Sequence, residues 1–184
     1  LKALVIDTSS LIQIEKAGFL PALVQKVKLY TLPAVKQEYE QGSPKLKKIN
    51  INKDNPEQPF PVGVHILKDS LLKGGKANQD ATSTPTLTPI PKPHSTDLAL
   101  VELAHSRSLP LLSEDRKMLQ KAELLGLEYF NALMMLEFLF YKRGLDPSRY
   151  EEHRHRLFSQ SRYNKAVQKY GESLHTYIEK CTGV

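Results

Sequence analysis

The apolar run Ala3 to Ile6 constrains the fold most, because it is uninterrupted and ends directly at an acid, Asp7. Such a run is typical of a parallel strand that is buried on both faces of a sheet. In open α/β sheets, ligands bind at the carboxyl ends of the strands. The sequence therefore predicts a buried first strand and makes Asp7 a candidate functional residue.

Composition predicts a soluble protein with one sizeable core. The chain has 184 residues, of which 40% are hydrophobic and 25% charged, as in ordinary globular proteins. No apolar run approaches the roughly 20 residues of a membrane span, and no signal-peptide pattern is present at the N-terminus. The single cysteine, Cys181, excludes an internal disulfide. We therefore expect a cytoplasmic protein without a membrane association.

The charge balance indicates a class of partner. The formal net charge is +6 at pH 7, which modestly favours a polyanionic partner. Charge alone does not identify the partner.

Short apolar runs alternate with capped helical patterns along most of the chain, which predicts an α/β fold. Strands are expected at 3–6, 29–32, 109–113 and 127–130. Helices are expected at 8–17, 21–27, 33–41, 96–105, 116–125, 132–143, 147–160 and 163–180. The first helix is expected to be capped by a hydroxyl of Thr8, Ser9 or Ser10. The segment 62–72 fits either a strand or a short helix.

Two boundaries divide the predicted organisation. Residues 43–94 are an insertion, and within it the Pro-, Ser- and Thr-rich stretch 80–93 is expected to be flexible. A main domain is predicted at 1–144, followed by a helical extension at 145–184.

Two features of the C-terminal half suggest interaction surfaces. The helix at 132–142 is apolar almost all round, so it is either central to the core or a subunit interface that forms a homodimer. Basic residues alternate with tyrosines in the extension, which fits either a nucleic-acid surface with stacking rings or helices whose tyrosines pack on the domain. The helical spacing of these tyrosines favours the second alternative, in which they pack on the domain.

Four acids occupy comparable positions: Asp7 after the first strand, Glu38 on a following helix, Asp97 in the first turn of a helix and Asp115 after a later strand. In a parallel sheet, strand ends and helix starts share one edge, so these side chains can converge. Converging carboxylates repel each other unless a cation neutralises them, and oxygen ligands favour Mg²⁺ or Mn²⁺. Taken singly, each acid also has a structural explanation as a helix cap or a solvated residue.

Four stretches resemble the PIN-domain nucleases, a family of metal-dependent ribonucleases that includes many toxins. They are VIDTSSLI, LPAVKQEYE, STDLALVELA and LPLLSEDRKML, in this order. The resemblance covers about residues 1 to 140 apart from the insertion. It implies an α/β/α sandwich around a mainly parallel sheet and endonucleolytic cleavage of RNA.

The resemblance also assigns roles to residues. Asp7, Glu38, Asp97 and Asp115 match the acidic cluster, in which Asp7, Asp97 and Asp115 would hold the metal. Ser9 and Ser113 match the small hydroxyl positions beside the acids. Glu40 and Glu114 are neighbouring acids that can substitute for Glu38 and Asp115.

The leading hypothesis is therefore a ribonuclease that uses Mg²⁺ or Mn²⁺. The alternative is a nucleic-acid-binding or regulatory module with the same fold and little or no catalysis. A DNA nuclease or phosphatase is a third possibility. The chain is longer than the compact toxins of the family, and nothing in the sequence supports a cognate antitoxin.

Overall fold

The structure, a computed structural model, describes residues 1–41, 60–67, 95–161 and 163–182. These ranges form five strands and eight helices. The strands are β1 (Ala3–Ile6), β2 (Lys28–Thr31), β3 (Val64–Ile66), β4 (Leu111–Leu112) and β5 (Tyr129–Phe130). The helices are α1 (Thr8–Ala17), α2 (Leu20–Lys26), α3 (Pro33–Gln41), α4 (Thr96–Ser106), α5 (Arg116–Leu124), α6 (Ala132–Tyr141), α7 (Pro147–Gln160) and α8 (Lys165–Thr182).

All five strands are parallel and are ordered β3-β2-β1-β4-β5. The chain runs outward from the central strand β1 through β2 to β3, and then returns to the other side of β1 to form β4 and β5. This confirms the predicted α/β fold with a parallel sheet. It also puts the carboxyl end of β1 at the point where the strand order reverses, which is where open α/β sheets bind ligands.

Helices cover both faces of the sheet. Successive side chains of a strand point to opposite faces, so the apolar residues of β1 contribute to an apolar cluster on each face. On β1, Leu4 and Ile6 belong to one apolar cluster and Val5 to another. The first cluster includes buried residues of α1, α2, α6, α7 and α8. The second includes buried residues of α4 and α5. The described part of the chain therefore has three layers, with the sheet in the middle.

The structure corrects the predicted start of α1. Asp7, and not one of the three hydroxyl residues, is its N-cap and accepts a hydrogen bond from the amide of Ser10. The reason is that α1 already begins at Thr8, so the last extended residue is the acid. At the other end, Gly18 has a φ of 89°, a left-handed conformation that glycine adopts without strain. The helix therefore ends where predicted.

The apolar helix α6 lies in the core. Its buried residues pack with those of α1, α2, α7 and α8 in the first apolar cluster. This packing accounts for its apolar sequence within a single chain. The homodimer through 132–142 stays a prediction.

The extension packs on the same cluster as the rest of the chain. Tyr150 and Leu157 of α7 and Ile178 of α8 are buried there. Gly171 lets α8 approach α6 closely, because a Cβ at this position would lie only 2.7 Å from Cδ2 of Leu133. The division of the chain at residue 144 stays a prediction.

Residues 64–66 of the segment that fitted either a strand or a helix form β3, at one edge of the sheet. The stretch 80–93 that was predicted to be flexible lies outside the described residues, as does most of the insertion. None of the helices that the described residues form has the length and apolarity to cross a membrane.

Candidate functional site

Asp7 is the buried acid at the centre of the sheet edge. It follows β1 directly and is only 4% exposed. Its Oδ1 accepts a hydrogen bond from the Ser10 amide at 2.7 Å, and its Oδ2 accepts hydrogen bonds from Ser9 Oγ at 2.9 Å and Ser113 Oγ at 2.6 Å. Burial raises the pKa of Asp7, and these hydrogen bonds oppose that effect only in part. None of the ion pairs among the described residues involves Asp7.

Ser113 joins Asp7 to the neighbouring strand. It follows β4 and is fully buried. While its hydroxyl donates to Asp7, its Oγ accepts a hydrogen bond from the amide of Asp115 at 3.0 Å. The hydroxyl thus fixes the Asp7 carboxylate from a position 106 residues along the chain. Both predicted supporting residues, Ser9 and Ser113, contact Asp7 directly.

Glu38 reaches this strand end through a neighbour of Asp7. Its Oε2 accepts a hydrogen bond from Thr8 Oγ1 at 2.7 Å. Glu40, the alternative acid on α3, instead pairs with Lys36 at 3.5 Å, and both of these side chains are 43% exposed. The geometry therefore favours Glu38 over Glu40 as the acid of α3 that belongs to the site.

Asp115 is near Asp7 but is engaged as a helix cap. Its Oδ1 accepts hydrogen bonds from the amides of Lys117 at 2.7 Å and Met118 at 3.2 Å. The capping explanation therefore holds for Asp115, as it does for Asp7. A cap uses only part of a carboxylate's hydrogen-bonding capacity, so this role does not exclude a second one.

Asp97 is the predicted acid on α4. It is half-buried in the first turn of α4, behind the N-cap Ser95. Only residues 107–110 join the end of α4 to the start of β4. Because the last turn of α4 is thus next to the amino end of β4, its first turn points toward the carboxyl edge of the sheet. Asp97 is on the predicted edge, at a helix start.

Glu114 is the acid that the sequence named only as a substitute for Asp115. Its Oε1 accepts hydrogen bonds from the amide of Ala132 at 2.6 Å and from the hydroxyl of Tyr163 at 2.9 Å. Burial raises the pKa of Glu114 to about 7, these hydrogen bonds oppose the shift, and the charge of Asp7 adds to it. Glu114 therefore lies close enough to Asp7 for their charges to interact. Periodicity gave no signal for these contacts, since Ala132 and Tyr163 belong to distant segments.

The raised pKa of Glu114 predicts a pH-dependent stability. A carboxyl with a folded-state pKa of about 7, against an ordinary value of 4.5, binds a proton more tightly in the folded state. The contribution of this carboxyl to the free energy of unfolding is therefore fully present below about pH 4.5. It is lost as the pH rises toward 7, by up to about 3 kcal/mol. In chemical denaturation with EDTA present, Glu114→Gln should make the free energy of unfolding depend less steeply on pH. Glu123→Gln, at an exposed acid on α5, is the control and should leave this dependence unchanged.

The donor chemistry at this edge fits a hard cation, but the carboxylates are not assembled around one point. Asp7, Ser9 and Ser113 present oxygen atoms, which Mg²⁺ and Mn²⁺ prefer. A buried carboxylate with no cationic partner is costly, and a metal ion would supply the missing charge. Across residues 1–41, 60–67, 95–161 and 163–182, however, no three His, Cys, Asp or Glu side chains are grouped closely enough to hold a metal ion. The predicted set of Asp7, Asp97 and Asp115 stays a prediction.

The sheet edge thus has one fixed acid and several acids held nearby by other partners. Asp7 is fixed by serines from two segments, Glu38 is one residue away through Thr8, and Asp115 is joined through Ser113. The chain matches no protein-family model, no curated protein and no solved structure.

Proposed function

We propose that the chain is an endoribonuclease that depends on a divalent metal ion and hydrolyses RNA phosphodiester bonds at the carboxyl edge of the sheet. The observation that carries the proposal is the buried Asp7 at the switch point of the sheet, which accepts hydrogen bonds from hydroxyl and amide donors and forms no ion pair with a described residue. The order of the PIN-like motifs supports the same assignment. The net charge of +6 suits an RNA substrate.

In this proposal each residue has a defined task. Asp7 is the fixed metal ligand, and Ser9 and Ser113 hold its carboxylate in one orientation. Asp97 and Asp115 supply further carboxylate oxygens, and Glu38 orients the attacking water. A bound Mg²⁺ or Mn²⁺ supplies activation of that water and stabilises the negative charge on the leaving oxygen.

Glu114 has a different task from the four acids of the predicted cluster. Its Oε1 is occupied by the start of α6 and by Tyr163. We assign it to joining the extension to the site. Its charge also favours bringing a cation near Asp7.

The alternative is a nucleic-acid-binding module with little or no catalysis. It is favoured by one observation, the lack of a three-acid group among the described residues. A module of this kind would bind RNA without forming product, with a strong dependence on salt.

The test is cleavage of labelled RNA, single-stranded and hairpin, by the purified chain with Mg²⁺, with Mn²⁺ and with EDTA. Cleavage is expected only with metal, and Asp97→Asn and Asp115→Asn should each reduce it at least about tenfold. Calorimetric titration with Mn²⁺ should show weaker binding to the same variants. The matched control is Glu40→Gln, which removes an exposed acid of α3 that pairs with Lys36.

Three outcomes separate the possibilities. Cleavage that persists in EDTA contradicts the metal mechanism. RNA binding without product, over long incubation with either metal, identifies the inactive module. Equal cleavage of single-stranded DNA of the same sequence contradicts the assignment to RNA.

A further inference from the structure

The four tyrosines of the extension divide into two pairs. Tyr150 and Tyr163 pack inward, where their hydroxyls donate hydrogen bonds to Glu137 and Glu114. Tyr170 and Tyr177 of α8 are 58% and 65% exposed. The preference for packing therefore holds for one pair, while the other pair presents its rings to solvent.

Tyr170 and Tyr177 lie on the same side of α8. They are seven residues apart, which is two helical turns and about 10 Å along the axis. A neighbouring side of the helix, about 100° around its axis, is anchored in the protein, because Gly171 lies against Leu133 and Ile178 is buried. The two rings are therefore held at a fixed spacing on a helix that is attached to the core.

The exposed side of α8 is also positively charged. Lys169 and Lys180, which lie within about 100° of the two rings around the helix axis, are exposed, and no ion pair within the described ranges involves them. The acids of α8 have cationic or histidine partners instead. Glu172 pairs with Arg154 of α7 at 3.6 Å, and Glu179 lies 3.5 Å from Nε2 of His175.

This charged side begins next to the candidate site. Tyr163 lies two residues before the start of α8, and its hydroxyl donates a hydrogen bond to Glu114. Glu114 directly follows Ser113, whose hydroxyl donates to Asp7 at 2.6 Å. From there α8 extends over 18 residues, or about 27 Å. We call Tyr170, Tyr177, Lys169 and Lys180 together the α8 tyrosine face.

We propose that the α8 tyrosine face binds the single-stranded RNA substrate beside the site, with bases stacked on Tyr170 and Tyr177 and phosphates paired with the lysines. Exposed rings next to a row of cations form the usual surface for single-stranded nucleic acid. A second copy of the chain is less suited to this face, because two such faces would bring lysines together. The inference rests on the proposed ribonuclease function and names the surface that presents the substrate.

The experiment measures binding of a fluorescein-labelled single-stranded RNA by anisotropy in EDTA, so that cleavage does not contribute. Tyr170→Leu/Tyr177→Leu should weaken binding by about tenfold or more, whereas Tyr170→Phe/Tyr177→Phe should retain it, because Phe keeps the stacking ring. Lys169→Gln/Lys180→Gln should lower the slope of log Kd against log salt by about 0.7 per lysine. Lys117→Gln/Lys121→Gln on α5, on the other face of the sheet, is the control.

The outcomes are separable from those of the proposed function. Wild-type affinity in the double Leu variant overturns the inference, and so does the lack of any RNA binding by the wild type. A change from dimer to monomer in the double Leu variant, with RNA affinity intact, assigns the face to self-association and also overturns it. Binding that depends on the tyrosines, without any cleavage in Mg²⁺ or Mn²⁺, supports the face and contradicts the nuclease.

Discussion

Replacing Asp7 by Asn is expected to abolish RNA cleavage while it raises the melting temperature. Loss of the Asp7 ligand should reduce activity by more than the roughly 10–100-fold that is typical when a residue supporting a metal ligand is removed. Stability should rise because burial raises the pKa of Asp7, which means that the folded state disfavours the carboxylate. Asn removes that charge and is as good an N-cap as Asp.

The local hydrogen bonds can adapt to an asparagine side chain at this position. Its amide oxygen can accept from the Ser10 amide, as Oδ1 of Asp7 does. Its NH₂ group replaces an acceptor, so the Ser113 hydroxyl must turn away, and Met118 Sδ at 3.6 Å is a ready acceptor for it. The substitution therefore preserves the fold, and loss of activity would not reflect unfolding.

The pH dependence gives this prediction a definite sign. For a carboxyl with a raised folded-state pKa, stability is fully present below the unfolded pKa and is lost as the pH rises. The gain in stability of the Asn variant over the wild type should therefore be small at acidic pH and should grow toward neutral pH. Differential scanning calorimetry across this range measures it. Added Mn²⁺ should raise the melting temperature of the wild type but not of the variant.

Asp146→Asn is the matched control, since Asp146 caps α7 and accepts a hydrogen bond from the amide of Arg149. Asp146 is exposed, and this hydrogen bond lowers its pKa. The sign is therefore reversed, and the Asn variant should be less stable above the unfolded pKa. It should cleave RNA normally. If Asp7→Asn also lowers stability and retains cleavage, Asp7 is only a helix cap.

Replacing Glu137 by Ala is expected to cause the largest loss of stability. Glu137 is 1% exposed within the apolar helix α6. Its Oε1 accepts a hydrogen bond from the hydroxyl of Tyr150, and its Oε2 lies 3.1 Å from Nδ1 of His175. The rings of Tyr150 and His175 stack with centroids 4.3 Å apart. One carboxylate of α6 therefore joins α7 and α8.

Removing this acceptor leaves two polar groups without a partner and opens a cavity. The expected cost is about 3–5 kcal/mol, or a melting temperature lower by roughly 10 °C for a chain of this size. Glu137→Gln keeps an acceptor oxygen and the side-chain volume, so its cost should be much smaller. Urea denaturation of the two variants measures the difference.

A double-mutant cycle shows whether the hydrogen bond from Tyr150 accounts for part of the stability lost in Glu137→Ala. Tyr150→Phe removes one of the two donors, so the loss caused by Glu137→Ala should be smaller in that background. Additive effects of the two substitutions would contradict the assigned network. Stability of Glu137→Ala equal to the wild type would contradict it entirely.

Local patterns were sufficient for the elements that depend on neighbouring residues. The run Ala3 to Ile6 predicted β1, and the helical pattern of 8–17 predicted the bounds of α1. These features depend on caps, periodicity and backbone preferences within a few residues. At the start of α1 the expected hydroxyl cap was wrong, and the alternative explanation of Asp7 as a helix cap was confirmed.

By itself, the sequence determined that the chain is an α/β protein, that an acid ends its first buried strand, and which other acids begin helices or follow strands. The tertiary structure alone decided the contacts themselves: the Ser113 hydroxyl donates to Asp7, the Thr8 hydroxyl donates to Glu38, and Glu114 accepts from Tyr163. It also decided which tyrosines are buried. The physical reason is that these contacts join segments 30 to 106 residues apart, whose proximity depends on the strand order and on packing, which no local preference encodes.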